Sequence, residues 1–600
     1  MKRSRAASSP LVRLPSDVTH HCASFLDVFD LPALFDTARS VRVMVIGYLR
    51  AVRHLRLLQE VRGPAGAIDP ASRWLRLLSA FTRNLHILDL HGTRWTTNPG
   101  GGDLLVPVIR ANCNTLRAID GVEDFSGETL TALLHCPELR RIGPPQQCSD
   151  ILLSKCRKLE SLSLHREADA DFEDMMDTTA ARLVLRDLAL SRLHLTRLHP
   201  SALSLVVPTN LTELSLDFTF LYIVGPIDLE PLIRLVAEAP SLRIFRLLMH
   251  ILATRCVSFD LPNCEEVEIR INAGLTVPTF RAPRLSKLSI GPAVLANLDD
   301  LAVLHPNLTD LTLEVCPDSD SDPAESLPVL PHMTSFRFAG SVSPTAALCL
   351  CAWQSLTSLS LLFEDHPLAT YAIAILLSSL PSLVTANFEA AFEAAAVPAK
   401  PPLPKLIALP TLTDLSLLLV INDDRLFAAL HTPHLTKLNL RASVATTNFI
   451  PFLSRCPALI DLNAVRVKAQ TDGAVLPPLS ALRRLDCRDA SPSLASTLLY
   501  GAPFLTALRF GIGYLIPAWE RVVPVIPASV EDLLLGGLTH YQLSAFRLVL
   551  QQLPHLRKLN LEVDDSEEVV DSFKAAVREI CPLVNLVLPS PDESDDDEED

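Results

Sequence analysis

From Leu85 onward the chain repeats one arrangement of apolar and polar positions, L-x-x-L-x-L, followed by a stretch of helical spacing. Thr432–Leu440, T-P-H-L-T-K-L-N-L, carries it cleanly, and close variants stand at Asn210–Leu216, Pro283–Ile290, Pro306–Leu313 and Pro554–Leu561. First positions fall at Leu85, Leu116, Leu139, Leu159, Leu185, Leu211, Leu242, Cys264, Leu285, Leu308, Met333, Leu356, Leu383, Leu412, Leu435, Leu459, Leu482, Leu505, Val530, Leu556 and Leu583. These are 21 units, and the 20 steps from Leu85 to Leu583 average 24.9 residues. Leucines at period two call for a short strand with one buried face. Between the strands, stretches such as Leu229–Ala237 and Tyr541–Gln552 have helical spacing. Proline often stands two residues before the first leucine, at Pro240, Pro306, Pro381, Pro433, Pro457, Pro503 and Pro554, where it ends a helix and admits a strand. A fixed period of this length predicts an α/β solenoid with parallel strands on its inner face.

Residues 11–50 follow a different pattern. Pro15 suits a first helical turn, and Val18, Cys22, Phe25 and Leu26 then fall on one helical face. Asp30 is placed to cap a second helix with Leu31, Leu34 and Phe35, and Val41, Val45, Tyr48 and Leu49 continue as a third. Three short helices bury too little surface to stand alone and need a neighbour. Residues 51–84 carry further helical patterns, with Gly63, Pro64 and Gly66 between them, and read as a linker or N-terminal cap.

Composition narrows the function. The 600 residues are 48% hydrophobic but only 6% aromatic, so aliphatic side chains carry the burial. A net charge of -15 argues against a general nucleic-acid binder, which shows a basic footprint. No apolar run approaches the ~20 residues of a membrane span, and Arg13 and Asp17 interrupt any secretory h-region. The 13 cysteines include no C-x-x-C pair, and Cys113, Cys136, Cys156, Cys456 and Cys581 recur just before a repeat. That is the usage of buried structural thiols in a reducing compartment, so a cytoplasmic or nuclear protein is expected.

With L-x-x-L-x-L at this period, the chain resembles the leucine-rich-repeat family and is expected to form an irregular horseshoe of about 21 repeats over residues 85–588. The family often places asparagine or cysteine three residues after the second L-x-L leucine; here the slot holds Cys316, Thr93, Thr219, Ser443, Val467 or Asp564. Residues 11–50 resemble the F-box through Leu14-Pro15, Phe25-Leu26-Asp27, Asp30-Leu31, Leu34 and Arg42. Val41 stands where the family usually has an aromatic, and Thr37-Ala38 where it has valine-cysteine. The resemblance implies a three-helix module that docks the Skp-type adaptor of a cullin–RING ubiquitin ligase through Leu14, Pro15, Phe25, Leu26, Leu31 and Leu34. The alternative is a leucine-rich scaffold with a helical cap and no ubiquitin role.

No catalytic constellation stands out: G-x-x-x-x-G-K-[S/T], G-x-S-x-G and H-E-x-x-H are all absent, and the His20-His21 pair lacks further ligands at metal spacing. No enzyme activity, cofactor or metal is expected. Function then falls to the outward positions of the strands, the third and fifth of each unit and the residue after its last leucine. Glu213, Asp217, Glu266, Glu268, Asp310 and Glu314 make one stretch acidic, with Arg246, Arg270 and Lys287 among them. Lys437, Arg441, Arg484, Arg488 and Arg509 make a second stretch basic, opposed by Asp461 and Asp486. Arginine forks suit carboxylates and phosphates, so this strip is a candidate site for an acidic or phosphorylated segment of a target protein; an ordinary solvated face is the alternative. Residues 1–10 read as a basic tail and 589–600 as an acidic one, both expected to be disordered. Pro317–Ser326 and Val397–Lys405 interrupt the rhythm as an acidic and a proline-rich insertion.

Overall fold

The structure, a computed structural model, describes residues 46, 49–50, 53–56, 78–90, 105–120, 127–142, 158–165, 190–196, 210–218, 230–249, 258–271, 279–291, 301–314, 329–363, 368–390, 402–418, 425–441, 445–465, 467–469, 476–488, 490–511, 525–538, 540–563 and 567–588. Both tails, the acidic insertion and the F-box-like residues Leu14, Pro15, Phe25, Leu26, Leu31 and Leu34 lie outside the described residues.

The chain divides into two compact units, residues 1–293 and 294–600. Among the described residues of the first, ten short strands pair in parallel and in sequence order, from His54–Arg56 through Ile87–Asp89, Ala118–Asp120 and their successors to Lys287–Ile290. In the second, twelve strands do the same from Asp310–Leu313 to Asn585–Val587. Parallel neighbours require a crossover, and helices such as Glu230–Ala237, Ala369–Ser379 and Leu543–Gln552 supply it. Strand and return alternate coil after coil, so each unit is a leucine-rich-repeat solenoid.

The leucines are buried and most positions between them are not. Along Lys437–Arg441 burial alternates strictly, and Leu435, Leu438 and Leu440 are at most 1% exposed. Each fully buried leucine is worth roughly 1.5–3 kcal/mol in transfer free energy, and valine, isoleucine, methionine or phenylalanine takes the same positions in coils such as Cys264–Ile269 and Met333–Phe338. Rings fill the space behind the strands where coils widen: Phe427 packs against Phe449 at 5.7 Å and Phe452 at 5.5 Å.

A backbone clamp fixes the register between coils. The carbonyl of Thr413 accepts N–H bonds from both Thr436 (2.8 Å) and Lys437 (2.9 Å) of the next coil, and the Thr436 carbonyl accepts from Ile460 and Asp461. In the first unit Ser191 and Arg192 bond Glu160 in the same way. Where the second repeat position is Ser or Thr, its hydroxyl adds a third bond to that carbonyl, as from Thr436 to Thr413 (2.9 Å), Thr357 to Thr334 (2.9 Å) and Thr212 to Ser191 (2.9 Å). The T of L-T-x-L is therefore a coil-to-coil tie. Most of the slots where the family places asparagine lie outside the described residues; Val467, in one of them, is buried.

In three places the structure differs from the pattern's reading. The unit placed at Leu185 starts instead at Leu190, with Leu193 and Leu195 buried and Leu193 paired to Leu162. L-R-D-L-A-L and L-S-R-L-H-L overlap there and match the template equally. The last unit keeps the frame read from Leu583, with Leu586 paired to Leu559, but Leu583 itself is 97% exposed on the turn and Val584 supplies the N–H that bonds the Cys581 carbonyl. Residues 51–84, read as helical, contain a strand at His54–Arg56 that pairs with Ile87–Asp89, because V-R-H-L-R-L is the repeat template with valine in its first position.

Removing the hydroxyl in Thr436→Val should weaken the tie by about 1 kcal/mol, seen as roughly fivefold faster hydrogen exchange of the Thr436 and Lys437 amides. Leu438→Ala, which opens a cavity, should cost about 2–5 kcal/mol over the surrounding coils. Unchanged exchange in Thr436→Val would remove the hydroxyl from the account.

Candidate protein-interaction face

The outward side chains line up in rows because the strands pair without slipping. In the second unit one row runs Asp414, Lys437, Asp461, Arg484, Ala507, Asp532, Lys558, each residue opposite the next. A central row runs Ser360, Asn387, Ser416, Asn439, Asn463, Asp486, Arg509. Asn387 donates to Ser360 (3.2 Å) and Asn439 to Ser416 (3.3 Å), so five consecutive strands present an uncharged polar centre with charges at its margins.

In the first unit the mixed charges close into a network. The Arg246 guanidinium reaches Glu213 at 2.7 Å, Glu266 at 3.1 Å and Glu268 at 3.4 Å. Glu268 also holds Arg270 at 3.0 Å, and Lys287 lies 3.7 Å from Glu266. Partial burial opposes the charge on Arg246, but the hydrogen bonds and charges of Glu266 and Glu213 outweigh it and raise its pKa. Three of the six acids counted along the sequence, Glu213, Glu266 and Glu268, are thus spent on three cations of neighbouring strands.

The basic positions of the second unit divide. Lys437 lies 3.9 Å from Asp414 and Arg484 3.7 Å from Asp461, both loose pairs with 62% and 70% of the cationic side chains exposed. Such pairs contribute about 0–1 kcal/mol and leave the cation available. Arg488 is held firmly: Nε and Nη2 each reach Asp486 at 3.1 Å, and Asp486 is buried. Its stem lies across Gly511, where an added Cβ would come within 3.3 Å of the Arg488 Cβ and Cγ. Asp486 also stands opposite Arg509 in the ladder, but both of its oxygens already serve Arg488. Among the described residues, neither Arg441 nor Arg509 has a carboxylate within 4 Å, and both are exposed. The positions weighted equally by sequence therefore comprise two loosely paired cations, one clamped arginine and two open ones. The clamp and the glycine beneath it needed register; their only sequence trace is R-L-D-C-R followed by a glycine one coil later.

Other chemistry is sparse among the described residues. They hold no group of three or more metal-ligating side chains and no helix long and apolar enough to cross a membrane. Cysteines 136, 264, 456 and 487 are buried, and Cys349 is exposed. Cys456 and Thr432 occupy the same slot in successive coils, just before the proline, where a carbonyl takes the first leucine's N–H. Burial pushes the Cys264 thiol up to about 12 and raises that of Cys487 as well. A cavity of about 450 Å³ at the C-terminal coil is lined by Lys574, Val577, Arg578, Cys581, Val584 and Leu588.

No family model and no curated protein matches the chain. Solved structures are similar to it: TLR13 in a complex with ssRNA13 (TM-score 0.39, 15% identity, 77% of this chain and 72% of that one), a leucine-rich-repeat protein of Leptospira interrogans (0.28, 14%, 88% and 100%), and mouse RP105 in complex with MD-1 (0.37, 14%, 90% and 80%). Scores below 0.5 carry no functional argument, and the fold class rests on the strand ladder itself. That class is a leucine-rich-repeat solenoid.

Gly511→Val should force Arg488 off its bed and loosen the fork on Asp486, lowering thermal stability while leaving the far coils protected in hydrogen exchange; an unshifted melting curve would contradict the packing. In the native protein at pH 8, Cys349 should react with a thiol reagent while Cys264 and Cys487 stay unlabelled. A raised thiol pKa favours the folded state below the unfolded value near 9, and that contribution is lost as pH climbs towards 12. Alkaline unfolding should accordingly release Cys264 to the reagent, and early labelling at pH 8 would refute its burial.

Proposed function

We propose that this chain is the non-catalytic target receptor of an SCF-type cullin–RING ubiquitin ligase, holding an acidic or phosphorylated segment of its target on the second unit's strand face. What supports the receptor reading is an F-box-like sequence, Leu14-Pro15 to Arg42, set ahead of a leucine-rich-repeat solenoid. Its apolar residues Leu14, Pro15, Phe25, Leu26, Leu31 and Leu34 would dock the Skp-type adaptor. The repeats then hold the target near a charged enzyme bound elsewhere in the complex, and the gain is effective concentration rather than side-chain chemistry.

For the target face, the supporting observation is the pair of open guanidiniums, Arg441 and Arg509, beside the loosely paired Lys437 and Arg484 and the oriented Arg488. An incoming carboxylate or phosphate gains charge-assisted bonds from Arg441 and Arg509 without first breaking an ion pair. It need only outcompete weak, exposed partners for Lys437 and Arg484.

A pull-down with purified Skp-type adaptor tests the first half: the intact chain should capture it, and Leu14→Ala with Pro15→Ala should abolish capture. No capture by the intact chain would leave a leucine-rich scaffold without a ubiquitin role. For the second half, Arg441→Glu and Arg509→Glu should weaken binding of a phosphorylated acidic peptide at least tenfold and flatten its salt dependence. Unchanged affinity would clear these residues of the role.

A further inference from the structure

The same chain carries an acidic segment within reach of these cations. Residues 589–600 read P-S-P-D-E-S-D-D-D-E-E-D, with eight carboxylates in the last nine positions. They follow directly on Leu588, one residue beyond the final strand Asn585–Val587. The chain leaves a strand at its C-terminal end, and Arg441 and Arg488 stand at or just beyond the same ends of their own strands.

The spacing along the ladder fits. From the last strand to Ala507–Gly511, which bears Arg509, there are three strand steps. To the Arg484–Asp486 strand there are four, and to Lys437–Arg441 six. At ~4.8 Å per step these lie about 14, 19 and 29 Å away. Asp592 is four residues past Leu588 and Asp600 twelve, so the carboxylates can reach from ~14 to ~42 Å when extended. The uncharged Pro589-Ser590-Pro591 would cross the two intervening strands, whose central row is Leu534 and Asn560, and the first acid would arrive level with Arg509. The nearer C-terminal helix, Glu567–Ile580, is a poorer resting place: Glu567, Glu568, Asp571 and Glu579 outnumber its Lys574 and Arg578.

We infer that residues 592–600 occupy the Arg509–Arg488–Arg441 path of their own chain and act as a tethered competitor for the acidic ligand. The inference rests on the acid-binding reading of this face. A tether of this length gives an effective concentration in the millimolar range. Against a site with a ~0.1 mM constant for the tail, that handicaps an outside ligand by roughly tenfold. A target with phosphates, or with more carboxylates in register, would displace the tail; a weakly acidic one would not.

The test uses the full chain and a fluorescein-labelled peptide of sequence 589–600, followed by anisotropy. In one variant all eight tail carboxylates become carboxamides (Asp→Asn, Glu→Gln). The neutralised chain should bind the peptide about tenfold more tightly than the native chain, and both affinities should fall with salt. Adding Arg441→Glu and Arg509→Glu to the neutralised chain, which leaves the Arg488–Asp486 fork intact, should abolish that binding. Equal affinity of native and neutralised chains would overturn the tethered competitor while leaving the acid-binding face standing. Binding that survives the two arginine reversals would place the tail elsewhere and also overturn it. No binding by either chain would overturn both the inference and the acid-binding reading beneath it.

Discussion

The carbonyl between the first leucine and the strand is the point on which the repeat depends. At each coil it receives two consecutive N–H groups from the next, as Thr413 does from Thr436 and Lys437. A one-residue slip would break this shared pair of bonds, because the acceptor sits at one fixed position of each coil. A slip would also turn every leucine outward, because side chains alternate at period two. Register, burial and the alignment of the outward rows are therefore one constraint. Serine and threonine at this position add a hydroxyl to the same acceptor, which explains why L-T-x-L recurs where any polar residue would satisfy the burial pattern.

Much of this was legible from the leucines alone, because burial is what the pattern encodes. The failures occurred where burial was degenerate. Leu185–Leu190 and Leu190–Leu195 offer the same six-residue template, and only pairing of Leu193 with Leu162 selects the second. At the last coil the frame read from Leu583 holds, with Leu586 opposite Leu559, but Leu583 itself is left on the surface. The strand at His54–Arg56 went unread because one short alternation carries little weight beside helical spacing on both sides.

The site was legible as a set of residues but not as a set of states. Charges counted along a sequence take no account of what lies opposite, and opposite residues here are 20 or more positions away. Arg484 and Arg488 look equivalent in the sequence. In the ladder the first meets Asp461 loosely, while the second is bedded on Gly511 and forked to Asp486. A fork of this kind orients a guanidinium but removes most of its free charge. It also removes Asp486 as a partner for Arg509, so that a salt bridge within one coil creates an open cation on the next.

That indirect effect gives the face its character. Where carboxylate and cation alternate one to one along a row, as in Asp414, Lys437, Asp461 and Arg484, the field nearly cancels beyond a strand spacing, and salt screens what remains. An acidic ligand gains little from such a row, because it must trade one carboxylate for another. Row ends and rows interrupted by an uncharged residue behave differently. Val465 follows Arg441 in its row, and Ala507 follows Arg484. At these breaks the alternation fails and positive charge is left over, close to the uncharged asparagine and serine centre. Specificity on this surface is set by where the charge ladder is broken rather than by how many basic residues it contains.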